Sequence, residues 1–121
     1  MVPHLVDEWL LCRRWLVPAI AVGDLSEDIV FGRVSSGLAQ LWRGERSAMV
    51  TQLENGDVRR LHVLLGGGDL RELIAMHFGV AAWGRVMGAD FATINGRRGW
   101  SRALLRHGFE LRDGELWKAL R

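Results

Sequence analysis

Apolar residues recur at helical spacing near the start of the chain. Leu5, Trp9, Cys12, Leu16, Ala19 and Ile20 share one face of a 3.6-residue period and predict an amphipathic helix over residues 5–21. Asp7 and Glu8 lie early and Arg13 and Arg14 further along, the order that suits the helix dipole. Pro18 removes a backbone donor and is expected to kink or shorten the last turn, with Gly23 as a stop. Ser26-Glu27-Asp28, ahead of Ile29, Val30, Phe31 and Val34, predicts a second helix capped by Ser26. Ser35-Ser36-Gly37 should keep it short.

The period then changes. Residues 38–42 and 47–53 read as strands joined at Arg43-Gly44-Glu45. Asn55-Gly56-Asp57 predicts a hairpin, because Asn and Gly tolerate positive φ. Its partner strand, 58–65, places Leu61, Val63 and Leu65 on one face. A long helix follows from Asp69 to about Gly88, with Leu70, Leu73, Ile74, Ala81 and residues 83–86 on its buried side and a bend or break expected at Gly79. Residues 91–95 form a short strand and 97–107 a last helix with Gly108 after it. Residues 109–112 and 115–120 close the chain as a hairpin about Asp113-Gly114.

The predicted order is helix, helix, three strands, helix, strand, helix, two strands. It implies an α/β (α+β) fold with a mixed, mainly antiparallel sheet flanked by helices. At 121 residues it reads as a single domain spanning residues 1–121.

The stretch around which the rest is arranged is Arg59–Gly68, ending in Gly66-Gly67-Gly68, with the helix from Asp69 to about Gly88 behind it. A strand, a glycine turn and a helix N-terminus can together hold a phosphate against free N–H groups. Asp69 weighs against that use, since it puts a carboxylate where the anion would sit. Two like charges about 4 Å apart cost on the order of 1 kcal/mol in water, and more when desolvated. The plainer reading is a tight turn with an Asp cap.

Composition adds limits. The chain is 49% apolar and 25% charged with a net charge of +2, the balance of a globular protein and too small a surplus to argue nucleic-acid binding. One cysteine, Cys12, excludes an internal disulfide and favours a reducing compartment. The longest early apolar run, residues 16–22, falls short of the roughly 20 that a membrane span needs, and no secretory signal is evident. The expected location is the cytoplasm or a virion, with no membrane partner.

Candidate chemistry is sparse. His4, His62, His77 and His107 lack paired metal spacing and Cys12 has no CxxC partner, so no metal site is expected. Glu45, Glu54 and His62 are open candidates for a general base, and no catalytic residue is assigned. Arg98, Arg102 and Arg106 share a helix face with Arg97 beside them, either as a solvated strip or as a contact to phosphate or an acidic surface. Trp42 and Trp117, at a strand end and on the last strand, are the candidate interface anchors among six tryptophans.

Ala82-Trp83, Gly88-Ala89 and Arg97-Arg98-Gly99-Trp100…Gly108-Phe109, taken with the element order, resemble the closing half of the GNAT (N-acetyltransferase) superfamily. The Trp83…Arg97…Trp100…Gly108-Phe109 pattern is similar to small GNAT-like proteins of phages and prophages. The resemblance implies a sheet that splays beside its central strand to admit acetyl-CoA, with Gly66, Gly67 and Gly68 as the cofactor-binding backbone if that cofactor binds. It also implies a basic or Gln residue and a Gly-x-Gly/Ala loop before the helix, and a Tyr acid near position 104. Here the loop is shortened, Leu104 stands near the Tyr position, and the chain has no Tyr. Cys12 and His107 are the only replacements to suggest themselves for that acid. The resemblance, with these departures, implies a phage or prophage protein without efficient acetyl transfer. Its expected partners are other phage or virion proteins or its own copies, with nucleic acid on the arginine strip as a weaker option; the alternative is an acyltransferase with a shortened pyrophosphate loop.

Overall fold

In the computed structural model the chain folds as α1 (Pro3–Ala21), α2 (Glu27–Ser35), β1 (Gln40–Arg43), β2 (Ser47–Asn55) and β3 (Arg59–Gly68). It continues with α3 (Leu70–Val86), β4 (Phe91–Asn95), α4 (Arg98–Leu105), β5 (Glu110–Arg112) and β6 (Glu115–Ala119). The structure describes residues 3–21, 23–95 and 98–121; the side chains of Pro3 and Arg98 lie outside that description. The strands form a six-stranded sheet in the order β1-β2-β3-β4-β6-β5. Only β3 and β4 run parallel, joined through the α3 crossover, and every other pair is antiparallel. The element order and the mixed, mainly antiparallel sheet are those the sequence predicts.

Two helices lie on one face of the sheet and two on the other. The α1 face buries Trp9, Cys12, Leu16, Ala19 and Ile20 against Val30, Val34, Ala48, Val50 and Leu65. The opposite face buries Leu73 and Val80 of α3 against Met49 and Leu61, and continues through Trp100 to Leu104, Ile94 and Leu116. Each large aliphatic side chain taken fully from water contributes about 1.5–3 kcal/mol, so these two layers carry the fold. Glu27 ties α1 to α2: it accepts from Trp9 Nε1–H at 2.8 Å and from Arg13 Nε and Nη2 at 2.9 and 2.8 Å.

The central strand departs from strict alternation. Thr51 pairs with Val63 but Val50 pairs with Leu65, leaving Leu64 as an extra, bulged residue. The bulge reverses which face each later side chain meets. Leu61 packs in the α3 layer while Leu65 packs in the α1 layer, so the expected common face for Leu61, Val63 and Leu65 is not formed. Gly66, Gly67 and Gly68 are not a loop either: they complete β3, opposite Met49, Ala48 and Ser47. Asp69 alone connects strand to helix.

Other boundaries differ for local reasons. α1 runs through Pro18 to Ala21, and both Pro18 and Arg14, whose carbonyl loses its partner there, are exposed to water. α3 is continuous past Gly79; its buried side is Leu73, Val80 and Gly84, whereas Val86 points away and is 83% exposed. The turn at Asn55-Gly56-Asp57 forms, closed by Gly56 N–H donating to Val58 O, yet neither Asn55 nor Gly56 takes a positive φ. Asp113 and Gly114 do, at 48° and 83°, as a tight two-residue hairpin requires.

Candidate functional site

β3 and β4 pair only from Arg60↔Phe91 to Val63↔Ile94. Beyond Val63, β3 continues along β2 alone, while β4 ends one residue past Ile94, at Asn95. The notch between them is lined by Val63, Leu64, Leu65, Gly66, Ile94, Asn95 and Trp100 and holds only about 30 Å³. The reason is Trp100 of α4, which packs across the notch onto the Gly66 backbone. A Cβ at Gly66 would stand 2.6 Å from Trp100 Cη2. At Gly67 it would stand 2.0 Å from the Trp15 carbonyl oxygen of α1. Gly68 adopts φ +106° with the Arg46 carbonyl 2.3 Å from its missing Cβ. Packing alone therefore accounts for all three glycines.

The start of α3 is occupied by the chain's own groups. Asp69 accepts from Glu72 N–H at 3.1 Å and pairs with Arg46 at 3.3 Å. Glu72 accepts from the Arg46 N–H at 2.9 Å and from the Ser47 hydroxyl, closing the β1–β2 turn against the helix. The backbone N–H of Glu72 holds the Asp69 carboxyl below its ordinary range, with Arg46 adding to the effect. The hydrogen bond from Ser47 does the same for Glu72. Two ionised carboxylates in the first turn repel a second anion.

A larger, polar recess opens on the α1 face of the sheet. It has a volume of about 380 Å³ between the α1–α2 connection and β2–β4, and its polar lining is Asp24, Arg33, Gln52, Glu54, His62 and Asn95. His62, on β3, is 8% exposed, with Nδ1 2.8 Å from the Thr93 hydroxyl oxygen and 3.8 Å from Glu115 Oε2. Its Nε2 has no partner among the described residues. No fully buried side-chain nitrogen or oxygen there is left unpaired, so Nε2 opens on the recess. Burial pushes the imidazole below its ordinary pKa against the opposing pull of Glu54 and Glu115, leaving a neutral ring able to exchange a proton with a ligand. Desolvation raises the Glu54 carboxyl, but the bond from Gln52, the field of His62 and the contacts of Arg60 outweigh it.

Past Glu54 the recess runs on to an aromatic tract at Trp117. Phe91 and Trp117 meet edge to face at 5.5 Å, with Arg60 5.3 Å and Arg112 5.6 Å from the Trp117 ring. Arg60 is also paired with Glu54 at 2.9 Å and Glu115 at 3.2 Å.

The residues singled out by sequence are thus dispersed. Trp117 belongs to the tract. Trp42 is turned inward, its Nε1–H donating to Thr51 Oγ1 at 2.9 Å and its ring edge on Trp83 at 5.4 Å. Arg102 is exposed on α4, Arg106 lies in the turn after it, and Arg97 is outside the described residues. Of the base candidates, His62 and Glu54 line the recess whereas Glu45 is exposed in the β1–β2 turn. Cys12 is fully buried, with burial raising its thiol pKa, and Leu104 is core. Gln52, Thr93 and Glu115 were missed, because only the strand register brings them beside His62.

No family model matches the chain, nor does any curated protein or solved structure. Among the described residues no group of side chains could hold a metal ion, and no helix is long and apolar enough to cross a membrane.

Proposed function

We propose that this chain is a GNAT-like domain of phage or prophage origin that works as a virion or protein-interaction component and does not transfer acetyl groups efficiently. The element order and the mixed sheet, with β3 and β4 as its one parallel pair, support the GNAT-like frame, on which the sequence resemblance also rests. The observation that carries the loss of activity is the start of α3. Where the resemblance implies a pyrophosphate, the Asp69 carboxylate already takes the Glu72 N–H of the first turn, the Glu72 carboxylate takes the Arg46 N–H of the β1–β2 turn, and the Arg46 side chain is paired with Asp69. Trp100 filling the notch supports the same reading. The Phe91–Trp117 tract with Arg60 and Arg112 is the surface best suited to an interaction, since aromatic and arginine side chains dominate binding anchors.

Calorimetric titration of the full chain with acetyl-CoA tests this. The expected result is no binding tighter than about 1 mM. Binding in the micromolar range overturns the proposal.

One observation favours a second reading. The unpaired Nε2 of His62 faces a polar recess beside the parallel strand pair, a position from which it could take a proton from an amine. In that reading the chain is an acyltransferase with a shortened cofactor loop. Its test is release of free thiol from acetyl-CoA in the presence of a polyamine or peptide amine. Release that falls on His62→Gln supports it, and none above the buffer rate removes it.

A further inference from the structure

Lys118 is the chain's single lysine among 16 lysine and arginine residues, and it stands on the opposite face of β6 from Trp117. Its ammonium lies against three rings. It is 5.0 Å from the centroid of Phe78 and 5.7 Å from that of Phe109. The third ring is His77 of α3, whose Nε2 is 3.1 Å from Lys118 Nζ, and His107 packs behind against Phe78 and His77.

The tautomer of His77 follows from its other contact. Nδ1 meets the carbonyl oxygen of Ile74, which can only accept, so Nδ1 carries the proton. In the neutral ring Nε2 is then a lone pair, directed at the lysine. No carboxylate pairs with Lys118 among the described residues, and the titratable groups facing it are His77 from α3 and His107 from the turn after α4.

We infer that Lys118 is a nucleophilic amine, with His77 as its proton acceptor, and that the site forms an imine with a small uncharged aldehyde. Arginine could hold a charge at this place equally well but could not lose a proton; lysine can. Burial lowers the pKa of Lys118 and, with Lys118 and His107 adding to it, that of His77, so both groups are biased toward their neutral forms. The aromatic walls and the lack of a carboxylate partner favour an uncharged ligand. Phe78 is 53% exposed, so the site opens to solvent.

The step balances without an oxidant or reductant. Lys118 gives one proton to His77 Nε2, and the Nζ lone pair attacks the carbonyl carbon, forming C–N as the C=O π bond breaks. The oxygen takes the proton back from His77. Loss of a second Nζ proton and of hydroxide as one water leaves the C=N bond.

The test uses the full chain with propanal and cyanoborohydride at neutral pH, and peptide mapping to separate Lys118 from the terminal amine. Lys118 is expected to alkylate at least about tenfold faster than Nα-acetyl-lysine amide. His77→Gln should return the rate to that of the free amide while circular dichroism stays unchanged. A wild-type rate no faster than the amide overturns the inference, as does full retention of the enhancement in His77→Gln. The wild-type pH profile needs no variant: its rise is expected at lower pH than that of the amide, and coincident profiles overturn the assignment.

Discussion

Gly67 and Gly79 are chemically identical and stand in opposite surroundings. A methyl group on Gly67 meets the Trp15 carbonyl at 2.0 Å, a backbone atom that can move only if α1 lifts from the sheet. A methyl group on Gly79 meets nothing within 4 Å, on an exposed turn of α3. Gly67→Ala should therefore lower stability by about 1–3 kcal/mol, in the range of overpacked cores. Gly79→Ala should raise it by about 0.5–1 kcal/mol through helix propensity. Urea unfolding of both variants, read as midpoint shifts at constant slope, checks the pair of signs. The same kind of contact gives the glycine triplet a packing role: an indole, a helix carbonyl and the Arg46 carbonyl lie against Gly66, Gly67 and Gly68 in turn.

At the scale of elements, one carboxylate adds a polar tie to the apolar contact between α1 and α2. Hydrogen bonds from Arg13 and then Trp9 depress the Glu27 pKa from 4.5 to about 2. A depressed carboxylate stabilises the fold above its unfolded pKa and loses that contribution as pH falls through the folded one. The contribution of Glu27 is therefore complete above pH 4.5 and disappears on the way to about 2. The group is close to solvent, which limits it to about 1 kcal/mol. Glu27→Gln should lower the melting temperature at pH 6, and the gap from wild type should close as the pH is taken toward 2. A constant gap across that range would contradict the assignment.

Most of the elements were legible because each is signalled locally. Periodic apolar residues mark α1 and α3, Ser26 and Asp69 cap their helices as expected, and Asp113-Gly114 turns the last hairpin. The face assignment along β3 failed at one residue, since the bulge at Leu64 is a property of two strands in register and leaves no trace in β3 alone. The recess failed for the same reason. His62 was a candidate, but Gln52, Thr93 and Glu115 come from three other strands and acquire meaning only beside it.

For the whole molecule, the parallel ladder joins two unequal parts. On one side lie α1, α2, β1, β2, β3 and α3; on the other lie β4, α4, β5 and β6, whose own small core includes Ile94, Leu104 and Leu116. The four-residue ladder has a kinetic consequence in deuterium exchange. Between 65 and 68, past the bulge, amides of β3 that point to β2 remain in a ladder, while those on the β4 side have no strand partner among the described residues. One strand should thus show two populations of exchanging amides that begin at Val63, the slow ones close to global unfolding and the fast ones reporting local opening. Raising α4 from the sheet, by shortening Trp100 to leucine, should quicken the second population and leave the first in place. The end of the parallel ladder would then be visible as a step in protection along a single strand.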